Sequence, residues 1–171
     1  MGNQLTLKLG YRFTLNREGY FVSNANSLAV RTLDDWSVRT QYSGLIIVGP
    51  HSSGKTHLAS VWMNETGAKS WKVLELVSLD IEILIKEKLI VLENLNAISQ
   101  LPRKEKSIVE EKILHIYNFF VSAGGKILMT ATSFPGDWNI GLKDLLSRLM
   151  SLQIAELTLP DDNLLAAVMA K

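Results

Sequence analysis

The sequence contains no cysteine among its 171 residues. That excludes a disulfide framework, a cysteine-based zinc site and a thiol nucleophile, and it fits a reducing cytoplasm. Of its three histidines, His51, His57 and His115, the last two have no partners at the spacings that build a metal-ligand set. No apolar run approaches the ~20 residues of a membrane-spanning helix. The first residues, MGNQLTLKLGYRF, lack the apolar centre of a secretory signal, so no membrane contact is expected. Charge of one sign is also missing. With 18 Lys and Arg against 17 Asp and Glu, the net charge is +1, which supplies no global attraction to nucleic acid or anionic surfaces.

What is present is a 47% hydrophobic chain of a length that suits one domain with a proper core. Residues 1–18 read as an N-terminal arm, with Leu5, Leu7 and Leu9 alternating before a polar stretch, and residues 19–171 as the domain. Tyr20, Phe21 and Val22 form a short apolar lead-in, after which Ser23 or Asn24 can cap a helix reaching about Trp36. Leu45 to Val48 is a short unbroken apolar run of the kind buried on both faces of a parallel sheet. Further strands are expected at 71–77, 89–92, 127–129 and 153–158. Helices are expected to about Asn64, over 104–121, around 141–150 and from Asp161 onward. In the helix over 104–121, Val109, Ile113, Ile116, Tyr117 and Phe120 share a face with charges opposite. Strands alternating with helices predict an α/β fold, a three-layer αβα sandwich around a parallel sheet.

Gly49-Pro50-His51-Ser52-Ser53-Gly54-Lys55-Thr56 fits the phosphate-loop pattern G-x-x-x-x-G-K-[ST] in full. It lies between a buried strand and a helix, as the mechanism requires. The glycines let backbone N–H groups curl around phosphate oxygens, and the helix N-terminus adds its positive dipole end. Lys55 is expected to reach the β- and γ-phosphates of ADP or ATP, and the Thr56 hydroxyl to hold Mg2+. His51 is read as a tolerated loop position in preference to a catalytic or metal role, and His57 and His115 are read from their helices as structural.

A phosphate-loop enzyme also needs an acid at the end of a second buried strand, to hold the metal. Leu89 to Leu92 ends in Glu93-Asn94, the better candidate; Asp80 follows a weaker strand signal. Glu93 can serve the metal, whereas Asn94 can position a water but cannot accept its proton. Good nucleotide binding with weak intrinsic hydrolysis is therefore expected. Arg148 stands out among leucines in Leu145-Leu146-Ser147-Arg148-Leu149, either snorkelling to solvent or serving as an arginine finger that stabilises transition-state charge on another subunit's nucleotide.

Several strings together resemble the DnaA family of AAA+ proteins, and within it the replication regulators of the Hda type found in alphaproteobacteria. They are Tyr20 to Asn26, the run Gly54 to Leu58 (GKTHL), His115 to Asn118 with Gly124-Gly125 and Ile127 to Thr130, Leu145 to Leu149, and Leu159 to Leu165. The resemblance covers nearly the whole chain. It implies that Phe21 and Val22 pack near the adenine, that His57 joins the nucleotide-binding set, that Thr130 or Thr132 is the polar sensor of the γ-phosphate, and that Arg148 is the arginine finger. AAA+ ATPases usually carry Asp and then a second acid where this chain has Glu93-Asn94.

Gln4, Leu5, Leu7 and Leu9 resemble the peptide by which Hda proteins dock into the sliding clamp, an extended segment whose glutamine hydrogen-bonds and whose leucines fill an apolar groove. The alternative is an ordinary edge strand. The family continues into a small helical lid with a second sensor arginine, and this sequence stops at Lys171, where that lid would begin. The resemblance thus implies a cytoplasmic negative regulator of replication initiation. Its partners would be the clamp (the β subunit of DNA polymerase III) and DnaA, whose ATP it would help to hydrolyse. Contact with DNA would be mainly indirect, and a homo-oligomer is compatible with the family. A stand-alone ATPase related to helicase loaders is the second reading.

Overall fold

The computed structural model describes residues 20–39 and 41–162. In order they form α1 (Ser27–Val38), β1 (Gly44–Val48), α2 (Lys55–Thr66), β2 (Lys69–Lys72), α3 (Glu82–Ile85), β3 (Leu89–Glu93), α4 (Arg103–Ala123), β4 (Lys126–Ala131), α5 (Lys143–Met150) and β5 (Gln153–Glu156). The five strands make one parallel sheet in the order β2-β3-β4-β1-β5. The expected three-layer α/β sandwich is therefore the architecture observed.

The central strands alternate between two cores. Ile46, Ile90, Leu92, Ile127 and Met129 pack beneath α4 and α5, together with Trp138, Leu145 and Leu149. Leu45, Ile47, Val91 and Leu128 pack beneath α1 and α2, where Trp36 and Trp62 meet with ring centres 5.6 Å apart. Both faces are covered, so the strands read as unbroken apolar runs with no polar alternation.

Three sequence expectations are corrected. The first helix begins at Ser27, not beside Ser23 or Asn24, because residues 23–26 close a turn first: Ser27 N–H donates to the Ser23 carbonyl, and Ser23 N–H to Asn26 Oδ1. The strand expected over 71–77 ends at Lys72 and gives way to a 3-10 helix, Val73–Val77. The Glu75 carboxylate accepts the Lys72 N–H there, and Lys112 of α4 donates to the carbonyls of Leu76, Val77 and Leu79. The last strand stops at Glu156. The arm with Gln4, Leu5, Leu7 and Leu9 lies outside the described residues, as does the helix expected from Asp161 beyond Asp162.

One charge on α4 does not face solvent. Glu110 is buried, and its two carboxylate oxygens accept the Gly141 and Leu142 backbone N–H groups at 2.9 and 2.8 Å. These donors sit at the start of α5, where helical N–H groups lack partners of their own. Lys106 adds a bond to the Asn139 carbonyl. Glu110→Ala strands two N–H groups and is expected to cost about 2 kcal/mol, read as a lower urea midpoint at unchanged slope. An unaltered midpoint would mean the caps contribute nothing.

Candidate nucleotide-binding site

The loop between β1 and α2 is shaped by its neighbours. Gly49 N–H donates to the Ala131 carbonyl of β4, and Leu157 N–H to the Val48 carbonyl. A Cβ on Gly49 would stand 2.6 Å from the Leu157 carbonyl oxygen and 2.7 Å from Ser53 Oγ, so only glycine fits. Ser52 and Gly54 take left-handed backbone, with φ of 62° and 92°, a conformation of the kind in which successive N–H groups can form an anion-binding nest. The place a Cβ would occupy on Gly54 has no heavy atom within 4 Å.

Lys55 opens α2 and folds back to donate to the carbonyls of Gly49 and Pro50, at 2.7 and 2.6 Å. It forms no salt bridge among the described residues. Burial pushes its ammonium below the ordinary lysine value of 10.5, because a partly desolvated cation without a counter-charge is disfavoured. The Ser53 hydroxyl is buried and makes no hydrogen bond among the described residues. An orphaned donor, a cation without an anion among the described residues and a helix N-terminus meet at one turn, and together they fit a polyphosphate.

Glu93 and Thr130 share the face of that turn. Side chains alternate along a strand; Val91 and Leu128 pack on the α2 side, so Glu93 and Thr130, two residues further on, face that side too. Thr130 lies beside Ile47 of β1 in the sheet register. Its hydroxyl accepts the Asn94 N–H at 3.1 Å, fastening a turn in which Asn94 is left-handed with φ 62°. Asparagine tolerates that conformation better than most residues. Thr132 lies past the strand, and its N–H donates to Asn96 Oδ1 at 2.9 Å. Asn96, which the sequence offered no reason to single out, thus closes a second link between the turn after β3 and the end of β4. Thr56 and Glu93 have the oxygen chemistry for Mg2+. Asp80 does not compete: it follows the 3-10 helix and accepts the Glu82 N–H instead of ending a strand.

The lead-in segment reaches the same helix. Tyr20 meets His57 of α2 edge to face, with ring centres 4.9 Å apart. Asn26 donates to the Phe21 carbonyl at 3.0 Å. Phe21 and Val22 remain exposed, as does His51 in the loop. Arg148 is elsewhere. It sits on α5, whose Leu145 and Leu149 pack on the α4 side of the sheet, and α5 leads to the beginning of β5, whereas the phosphate loop follows the end of β1. The sheet therefore separates Arg148 from the chain's own phosphate loop. His115 is exposed on α4.

Neither a family model nor a curated protein sequence matches the chain. Solved structures do match its fold. AMPPCP-bound DnaA from Aquifex aeolicus superposes with a TM-score of 0.72 at 19% identity, over 90% of this chain and 53% of that one. Domain III of the Thermotoga maritima replication initiation protein DnaA gives 0.67 at 20% identity, over 86% and 68%. The DnaC helicase loader gives 0.61 at 16% identity, over 83% and 96%. The chain spans about half the length of the Aquifex aeolicus structure. At these identities the likeness establishes the fold alone, one shared with these replication proteins. No helix among the described residues is long and apolar enough to cross a membrane.

Proposed function

We propose that this chain is an adenine-nucleotide-binding domain of the DnaA family that acts as a negative regulator of replication initiation of the Hda type. The observation that carries the nucleotide reading is the phosphate loop, with its unpaired Ser53 hydroxyl, its two left-handed residues and Lys55 at the head of α2. Adenine nucleotide in the AMPPCP-bound neighbour supports the same ligand class here. Loop N–H groups and Lys55 would bind the phosphates, Thr56 and Glu93 would hold Mg2+, and Phe21 and Val22 would line the base. Mg2+ bound there would supply neutralisation of phosphate charge.

Asn94 sits where a proton acceptor is needed and offers none, so intrinsic turnover is slow. The regulatory part of the reading rests on Arg148, which lies on α5 across the sheet from the chain's own loop, a position compatible with a group acting on a partner's nucleotide. Gln4, Leu5, Leu7 and Leu9 would tether the chain to the sliding clamp, so that Arg148 meets ATP held by DnaA. The chain would bind as one of a set of AAA+ neighbours, with DNA reached through the clamp.

The first test is binding to purified clamp. Micromolar affinity is expected, weakened at least about ten-fold by Gln4→Ala and by Leu7→Ala, since each removes an anchor of a short peptide. Absence of binding would remove the tether. The helicase-loader reading would then lead, favoured by the match over 96% of the DnaC loader, and binding to single-stranded DNA would be its own test.

A further inference from the structure

We propose that Asp144 is a positioning residue that aims Arg148. The inference rests on the reading of Arg148 as a group acting in trans. Arg148 Nε donates to Asp144 Oδ1 at 3.1 Å, one helical turn back on α5. Its guanidinium carbon stands 5.9 Å from the ring centre of Tyr117 on α4, within reach of a cation–π contact.

A guanidinium has five N–H donors. The bond to Asp144 takes the one on Nε and leaves the terminal nitrogens, which make no hydrogen bond among the described residues. The side chain is thus held at its base and along one flank, and open at the forked end that grips phosphate oxygens in pairs. A free arginine must freeze several rotatable bonds as it reaches its target, whereas a held one has already lost that freedom.

A purely stabilising role for the pair is weak, since the two side chains are 38% and 56% exposed and exposed i,i+4 ion pairs contribute little. The holder is also braced. Glu110 of α4 fastens the start of α5, and the same α4 presents Tyr117, so both supports of the guanidinium belong to one fixed pair of helices.

The test is single-turnover hydrolysis of ATP on DnaA, with DNA-loaded clamp and the full chain titrated to saturation. Asp144→Ala is expected to slow the saturated rate about ten-fold, with the half-saturating concentration unchanged. Asp144→Asn, whose amide oxygen still accepts from Nε, is expected to recover most of that rate. An unslowed Asp144→Ala alongside an inactive Arg148→Ala would overturn the positioning role and leave the finger standing. A fully active Arg148→Ala would remove the finger and this inference with it. A shift confined to the half-saturating concentration would assign Asp144 to docking and also overturn the proposal.

Discussion

Arg148→Ala is expected to slow clamp-dependent hydrolysis of ATP on DnaA by about a thousand-fold, the lower end of what an arginine finger supplies. The same variant should bind ATP as the unaltered protein does. The two halves of this expectation follow from one placement. Arg148 packs with α4 and α5 on one side of the sheet, while Lys55 and Thr56 open α2 on the other. Under the proposed function, its loss would leave the chain's own loop intact and remove a charge from a neighbour's site. Its fold cost is small as well, because the Asp144 pair is exposed and such pairs contribute about 0.5 kcal/mol. The measurement is labelled-ATP turnover on preloaded DnaA, with nucleotide titration of the variant beside it. Hydrolysis at the unaltered rate would sink the finger assignment. A parallel loss of the variant's own ATP binding would point to damage to the fold.

Lys55→Ala is expected to weaken the chain's own nucleotide affinity by about a hundred-fold, the equivalent of about 3 kcal/mol. Among the described residues Lys55 donates to the Gly49 and Pro50 carbonyls alone, and burial has already lowered its pKa. A phosphate would give this cation the counter-charge it lacks, so the interaction gained on binding is large and that lost from the free protein is small. Melting in the absence of nucleotide should therefore be nearly unchanged, while the upward shift in Tm on adding ATP disappears. Calorimetric titration checks the affinity directly. Retained affinity in the variant would show that the loop backbone alone binds the phosphates.

The sheet and the phosphate loop were legible because their signals are local. Unbroken apolar runs such as Leu45 to Val48 belong to strands covered on both faces, and the loop pattern fixes its own chemistry within eight residues. Glu93 was legible for the same reason, as the polar end of an apolar run. What could not be read depends on contacts far along the chain. Nothing local distinguishes Val73 to Val77 from a continuing strand; Lys112, more than thirty residues on, draws its carbonyls together. Glu110 looks like a surface acid on a charged helix, and is buried only because the start of α5 brings it two unpaired N–H groups. Asn96 and Thr132 find one another across the same kind of distance. That Thr130 lies within β4 and Thr132 beyond it depended on where the strand ends, at Ala131.

Leu157 has a consequence for how the domain can transmit force. Its N–H holds the last residue of β1, and its carbonyl closes against Gly49. Its neighbour Thr158 donates to the Ala25 carbonyl at 3.2 Å, in the stretch that carries Tyr20 to His57. The segment leaving β5, the mouth of the loop and the lead-in to α1 are thus pinned at one joint. A change in the shape of the phosphate loop would therefore be felt both at the exit from β5 and at the entry to α1, through bonds that join the two at Leu157 and Thr158.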